Sequence, residues 1–293
     1  MNKKIIKSKI KSTENIKKIT KTMEMVSVAK MRKAVQLAED YKTFGQEAKR
    51  ILSILADQKE KNIYSLHNDS DYKLLIVIAG QKGLCGGYNS NIYRYINRVY
   101  GEDIKNKTIK FITIGKYAEK IARRFDKGEE GDSIILSFNQ VEFLSKDARV
   151  IVKNLSESYL NKEFSKVDLV YTDFENINSM QVVSNTLLPF NSNSIDVLKD
   201  ISEDDKTDDL EYVFEPNIKQ VYEYTIRILL QNIILGSVLR ARASEHAARM
   251  MAMKTATDNA SEMISELKLW YNKARQAAIT QEIAEISSSM IAK

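Results

Sequence analysis

Residues 218–284 read IKQVYEYTIRILLQNIILGSVLRARASEHAARMMAMKTATDNASEMISELKLWYNKARQAAITQEIA, and this stretch decides the architecture. Stepping alternately by three and four residues from Ile218 visits Val221, Thr225, Ile228, Asn232, Leu235, Leu239, Arg242, His246, Arg249 and Met253. It continues through Ala256, Ala260, Met263, Leu267, Trp270, Ala274, Ala277, Gln281 and Ala284. This is a sustained heptad seam. No proline interrupts it and Gly236 is its one glycine, so the backbone has no strong reason to leave the helix. A helix of about 75 residues is roughly 110 Å long at 1.5 Å per residue, so part of it is expected to project beyond any globular body.

A helix that long with a narrow apolar stripe needs a partner, and the other end of the chain offers one. Ile16, Ile19, Met23 and Val26 follow the same spacing; Met31, Val35 and Ala38 resume it after a slip of register, and Ile51, Leu52 and Leu55 extend it. Neither stripe buries enough by itself to hold a helix in water. Pairing them predicts a long antiparallel coiled coil in which residues 1–60 and 212–290 form one discontinuous domain.

Between the two ends the pattern changes. Eight of the ten glycines lie between Gly80 and Gly131, and short aliphatic runs alternate with amphipathic ones. The runs predict strands at 73–79, 110–114, 134–138, 167–172 and 181–187, with helices at 89–100, 116–125 and 146–160. Strands alternating with helices of this length give a central Rossmann-like α/β domain over residues 70–205. The acidic stretch Asp200, Glu203, Asp204, Asp205, Asp208, Asp209 and Glu211, followed by Pro216, reads as an exposed connection.

Composition limits the function classes. Hydrophobic residues are 43% and charged residues 29% of the 293, as in a soluble globular protein. No apolar run approaches the length of a membrane span. The start, Met1-Asn2-Lys3-Lys4-Ile5-Ile6-Lys7, is basic but lacks the apolar core and cleavage site of a secretory signal, and reads as retained. The single Cys85 rules out an internal disulfide framework and suits a reducing cytosol. Residues 1–33 hold eleven Lys or Arg against Glu14 and Glu24. That local excess suits an acidic protein surface, anionic lipid or nucleic acid alike.

Candidate chemistry is thin. The loop Gly80-Gln81-Lys82-Gly83-Leu84-Cys85-Gly86-Gly87 follows a strand and precedes a helix, where backbone amides can cradle phosphate. Yet it carries neither the Lys and hydroxyl of a P-loop nor the close glycines of a dinucleotide fingerprint, so a tight structural turn is the simpler reading. Cys85 would need a base to act as a nucleophile, and the only histidines are His67 and His246, neither of which can be placed beside it. One thiol and two scattered histidines give no zinc site. Residues 1–40 contain no aromatic residue for base stacking.

Three ordered signatures carry a family resemblance. Residues 16–34, IKKITKTMEMVSVAKMRKA, resemble the N-terminal helix of F-type ATP synthase gamma subunits. Residues 243–260, ASEHAARMMAMKTATDNA, together with residues 271–283, YNKARQAAITQEI, are similar to that family's C-terminal signature, and GLCGGYN at 83–89 resembles its central one. The resemblance implies a non-catalytic central-stalk rotor. Its terminal helices would wind together inside a ring of alternating alpha and beta subunits, and its α/β domain would lie below, near the epsilon subunit and the membrane c-ring. It implies no cofactor on this chain, with ATP, ADP and magnesium held by partner subunits, no nucleic acid, and a place at the cytoplasmic face of a bacterial membrane. By the match, Lys18, Met23 and Arg32 face the moving acidic lever of beta. Arg275, Gln276 and Thr280 meet the ring's catch region, and Tyr212, Phe214 and Glu215 form a foot near epsilon and the c-ring. The chain departs from the family at Gly80-Gln81, where Ser or Thr followed by Asp is common. It departs again at the tail Ser287–Lys293, which is more polar than usual. No inserted cysteine pair of the chloroplast kind is present.

Other readings remain open at this level. A gamma-like shaft of a specialised ATPase would share these residues. An independent α/β nucleotide-binding enzyme is motivated by the glycine loop, and a basic coiled-coil nucleic-acid scaffold by the charged first helix.

Overall fold

The computed structural model describes residues 3–56, 63–126, 133–177, 179–190 and 214–291. In chain order the elements are α1 (Lys3–Ala56), a 3-10 turn (Ile63–Ser65), β1 (Lys73–Ile78), α2 (Tyr88–Val99), α3 (Gly101–Lys105) and β2 (Ile109–Ile114). They continue with α4 (Lys116–Phe125), β3 (Ile134–Phe138), α5 (Ser145–Leu160), β4 (Lys166–Asn176), β5 (Ser179–Leu188) and α6 (Ile218–Ile291). The chain divides into two compact units, one of Met1–Ala29 with Arg249–Lys293 and the other of Lys30–Ala248.

The larger unit is built on a five-stranded sheet in the order β3-β2-β1-β4-β5. β1, β2, β3 and β4 run parallel, and β5 pairs antiparallel with β4. β1 sits at the centre because both its faces are apolar. Leu74, Ile76 and Ile78 enter one core with α5, the second half of α1 and the first part of α6. Leu75 and Val77 enter the other, with α2 and α4. Each such side chain contributes about 1.5–3 kcal/mol on burial, so this strand alone commits the sheet to two covered faces. α4 shows the same logic at helical period: Ala118, Ile121 and Ala122 are buried while Lys120, Arg123 and Arg124 are not.

Strand and helix expectations match these elements closely, with β4 running on to Asn176 and a separate α3 after Tyr100. The reading of a narrow seam does not hold for α6 inside this unit. From Thr225 to Ala247 the helix is buried on nearly every side, because the sheet covers one flank and α1 another. Asn232 donates from Nδ2 to the Tyr41 carbonyl of α1 at 3.0 Å. A helix so enclosed carries apolar residues all round rather than in a stripe.

The smaller unit is an antiparallel coiled coil. Thr20 and Thr257 share a hydrogen bond between hydroxyls at 2.8 Å, Thr13 donates to the Met263 sulfur at 3.8 Å, and the Lys3 ammonium lies 6.0 Å from the Tyr271 ring centroid. Rising numbers on α6 thus meet falling numbers on α1. The interior positions are Ile6, Thr13, Thr20 and Ser27 against Met253, Thr257, Ala260 and Ile264. The α6 seam expected from sequence is half right: Met253 and Ala260 are inside, but Thr257 and Ile264 replace Ala256 and Met263. Of the seam expected on α1, Ile16, Ile19 and Val26 face outward at 50%, 59% and 48% exposure and Met23 is half-buried, whereas Met31 and Leu52, in the larger unit, are buried as expected. Small hydroxyl side chains at Thr13, Thr20 and Ser27 take much of the interior of α1, while Ile16, Ile19 and Val26 are left on the outside.

Candidate functional site

The parallel sheet has a switch point. From β1 the chain crosses to β2 on one side, and after β3 it returns to β4 on the other. In open α/β sheets ligands bind in the crevice at the carboxyl ends of the strands where the order reverses. Here that crevice is filled by α6. Asp173, near the carboxyl end of β4, accepts from Arg240 Nη1 through both oxygens at 2.9 and 3.0 Å. Ser244 donates to the Thr172 carbonyl at 3.1 Å. Arg242 donates from Nη2 to the Gln140 carbonyl and, at 3.3 Å, to that of Phe143. Tyr88, at the start of α2, donates to the Ala241 carbonyl at 3.1 Å.

Electrostatics fit this enclosure. Burial opposes the charge on Arg240, but Asp173 beside it, with Tyr171 and Glu39, outweighs that cost and its pKa is raised. Arg242 has weaker compensation: burial lowers its pKa, and the Glu245 charge restores only part.

The glycine loop is a structural turn against the same helix. Gly80 donates its N–H to Asn89 Oδ1 at 2.9 Å, and Asn89 Nδ2 lies 3.3 Å from the buried Cys85 sulfur. A Cβ at Gly80 would stand 3.0 Å from Asn89 Oδ1 and 3.3 Å from the Glu245 carboxyl carbon. Gly80 therefore leaves room for Glu245 to close over the loop. Gln81 accepts from the Lys116 N–H at 3.1 Å and caps α4, whose Gly115 has no side chain to do so. The departure at Gly80-Gln81 thus has a local account. Leu84 and Gly86 both take positive φ, 60° and 56°, which shapes the turn. Among the described residues no cluster of His, Cys, Asp or Glu could hold a metal, and no helix is long and apolar enough to cross a membrane.

The residues singled out by resemblance are divided between the two units. In the coiled coil Lys18 is exposed and Met23 half-buried on α1, while Arg275, Gln276 and Thr280 are exposed on α6. The Thr20–Thr257 pairing sets Lys18 level with about residue 259 of α6, so the two groups are roughly 24 Å apart along the axis at 1.5 Å per residue. In the larger unit Arg32 and Glu215 are exposed and Phe214 is half-buried; Tyr212 lies outside the described residues. Sequence reasoning assigned Ile16, Ile19 and Val26 to the interior and so missed them as surface. It also missed the Arg240–Asp173 pair, whose members are 67 residues apart; no local motif announces it.

A mixed α/β sheet whose switch-point crevice is occupied by its own α6, and separately an antiparallel two-helix coil, are the two parts that a family must share with this chain. The ATP synthase family profile matches residues 2–292. The chain is 35% identical to the ATP synthase gamma chain of Clostridium botulinum (strain Kyoto / Type A2), over 96% of this chain and 94% of that one. It is also 35% identical to the ATP synthase gamma chain of Albidiferax ferrireducens, over 98% and 97%. The chain belongs to the ATP synthase gamma chain family. Its fold resembles a chain of the Euglena gracilis mitochondrial ATP synthase OSCP/F1/c-ring structure, with TM-score 0.67 and 18% identity over 99% of this chain and 94% of that one. A central stalk/c-ring chain of the Tetrahymena thermophila enzyme gives 0.59 and 23% over 81% and 99%.

Proposed function

We propose that this chain is the central-stalk rotor of an F-type ATP synthase, coupling rotation of a membrane c-ring to conformational change in an alpha–beta catalytic ring. The observation that carries it is a coiled coil with many large apolar side chains on its outer surface. Ile16, Ile19 and Val26 on α1, and Met263, Trp270, Ile279 and Ile283 on α6, are exposed, and an isolated soluble protein has little use for such a surface. A surrounding ring would cover it. Rotation of a shaft with an uneven surface favours different conformations of successive ring subunits, which is differential binding rather than bond chemistry.

In this reading the chain is a non-catalytic subunit, and ATP, ADP and magnesium are bound by partner subunits. Lys18, Met23 and Arg32 would meet the acidic lever of beta. The Arg275 guanidinium would form charge-assisted bonds with ring carboxylates, beside Gln276 and Thr280. Tyr212, Phe214 and Glu215 would serve as the foot toward epsilon and the c-ring, at the cytoplasmic face of a bacterial membrane. The test is affinity purification of the tagged chain from its own cells under mild detergent. Alpha, beta, epsilon and c-ring subunits should accompany it in fixed ratio with ATPase activity. Recovery of the chain alone, fully stable and soluble, would sink the reading.

A further inference from the structure

A rotor must carry torque between its α/β domain and its long helix, and the hydrophobic effect that drives apolar burial has no direction. Close packing resists rolling through shape alone. Directional contacts, set off the helix axis and spread around its circumference, add an angular restraint to it.

α6 has such a set between Arg240 and Ser244. Successive residues advance about 100° around the axis, so Arg240, Ala241, Arg242 and Ser244 together cover more than half the circumference in under two turns. They are gripped from separate parts of the domain: Asp173 and the Thr172 carbonyl on β4, Tyr88 on α2, and the Gln140 and Phe143 carbonyls after β3. Most of these grips end on a backbone carbonyl. Arg240–Asp173 joins two charged side chains. It is also largely shielded, at 22% and 18% side-chain exposure, so water and salt weaken it little.

We propose that Arg240 and Asp173 are positioning residues for coupling: they form a torsional lock that stops α6 from rolling in its domain under load. The inference rests on the rotor reading and deepens it. A lock of this kind matters most when the load is high. Its loss lets the helix slip and dissipates work, while hydrolysis in the catalytic ring continues.

The experiment uses the complete enzyme in inverted membrane vesicles carrying Arg240→Gln, Asp173→Asn or the conservative Arg240→Lys. Assembly is read from subunit amounts in the vesicles, and ATP hydrolysis and ATP-driven proton or sodium uptake are measured with and without an opposing gradient. For Arg240→Gln and Asp173→Asn, ions moved per ATP should fall by about half or more against the gradient, with hydrolysis and assembly retained, because breaking a shielded ion pair leaves its partner uncompensated. Arg240→Lys, which keeps charge and a donor, should recover most of the ratio. An unchanged ratio in both neutral variants overturns the proposal. So does equal loss in Arg240→Lys, or failure of the neutral variants to assemble, since either makes the pair a determinant of folding only. If the parent chain itself supports no coupled enzyme, the rotor reading fails instead.

Discussion

Gly115 is held where no other residue fits. Its φ and ψ are 105° and 147°, a region open to glycine alone, and a Cβ there would lie 2.1 Å from the Ala79 carbonyl oxygen. Gly115→Ala should therefore destabilise the protein by about 3 kcal/mol or more, read as a lower thermal midpoint. Gly236 is the opposite case, a helix-interior glycine with nothing within 4 Å of its missing Cβ. Gly236→Ala should stabilise by about 0.5–1 kcal/mol in the same assay. A third residue links structure to pH. Tyr100 donates to the buried Asp168 at 2.9 Å and shares a 2.6 Å hydrogen bond with Ser184. Burial first, then the Asp168 charge, push its phenol far above the ordinary 10.0. The folded state thus holds a proton that the unfolded chain releases, so this contribution is full below pH 10 and is lost as pH rises beyond it. Tyr100→Phe should cost about 1–3 kcal/mol near neutrality in urea unfolding, and the gap to the parent should narrow at about pH 11.

At the scale of elements, the threonine pair of the coiled coil is the sharpest test. Thr257 also lies 2.8 Å from the Met253 carbonyl and Thr20 lies 3.1 Å from that of Lys17. One hydroxyl can donate across the seam while the other donates back to its own helix. A double-mutant cycle with Thr20→Val and Thr257→Val should give a coupling of about 0.5–1.5 kcal/mol, with the double variant at least as stable as either single one. A coupling near zero would mean the hydroxyls merely coexist. These residues also show what was legible in the sequence. Strands such as β1 and β3 and the helix α4 were readable because one local run of residues decides their burial. The phase of the coil was not, because a periodicity reading puts the most hydrophobic residues inside. Ile16, Ile19 and Val26 reverse that rule by facing outward, while Thr13, Thr20 and Ser27 take the interior. The filling of the switch-point crevice was equally hidden, since Asp173 and Arg240 meet only when the sheet and α6 have both formed.

For the whole molecule, the reading as a rotor makes surface charge a mechanical variable. Met23 is half-buried on α1, on the face it shares with the exposed Ile19 and Val26. Met23→Lys should leave assembly and coil stability intact, because no interior position changes. It should lower the ions moved per ATP, because a new cation would hold an acidic lever in the wrong rotational state. Unchanged ion movement per ATP in vesicles would count against that mechanism.

The Thr13–Met263 contact spans 250 residues of chain, and that separation bears on how the protein is made. At a synthesis rate of about 5–20 residues per second, α1 leaves the ribosome roughly 10–50 s before its coil partner exists. During that interval Ile6, Thr13 and Thr20, the positions that α6 later covers, have no mate, so a holding chaperone or a waiting ring subunit is the natural guardian of that seam until translation ends.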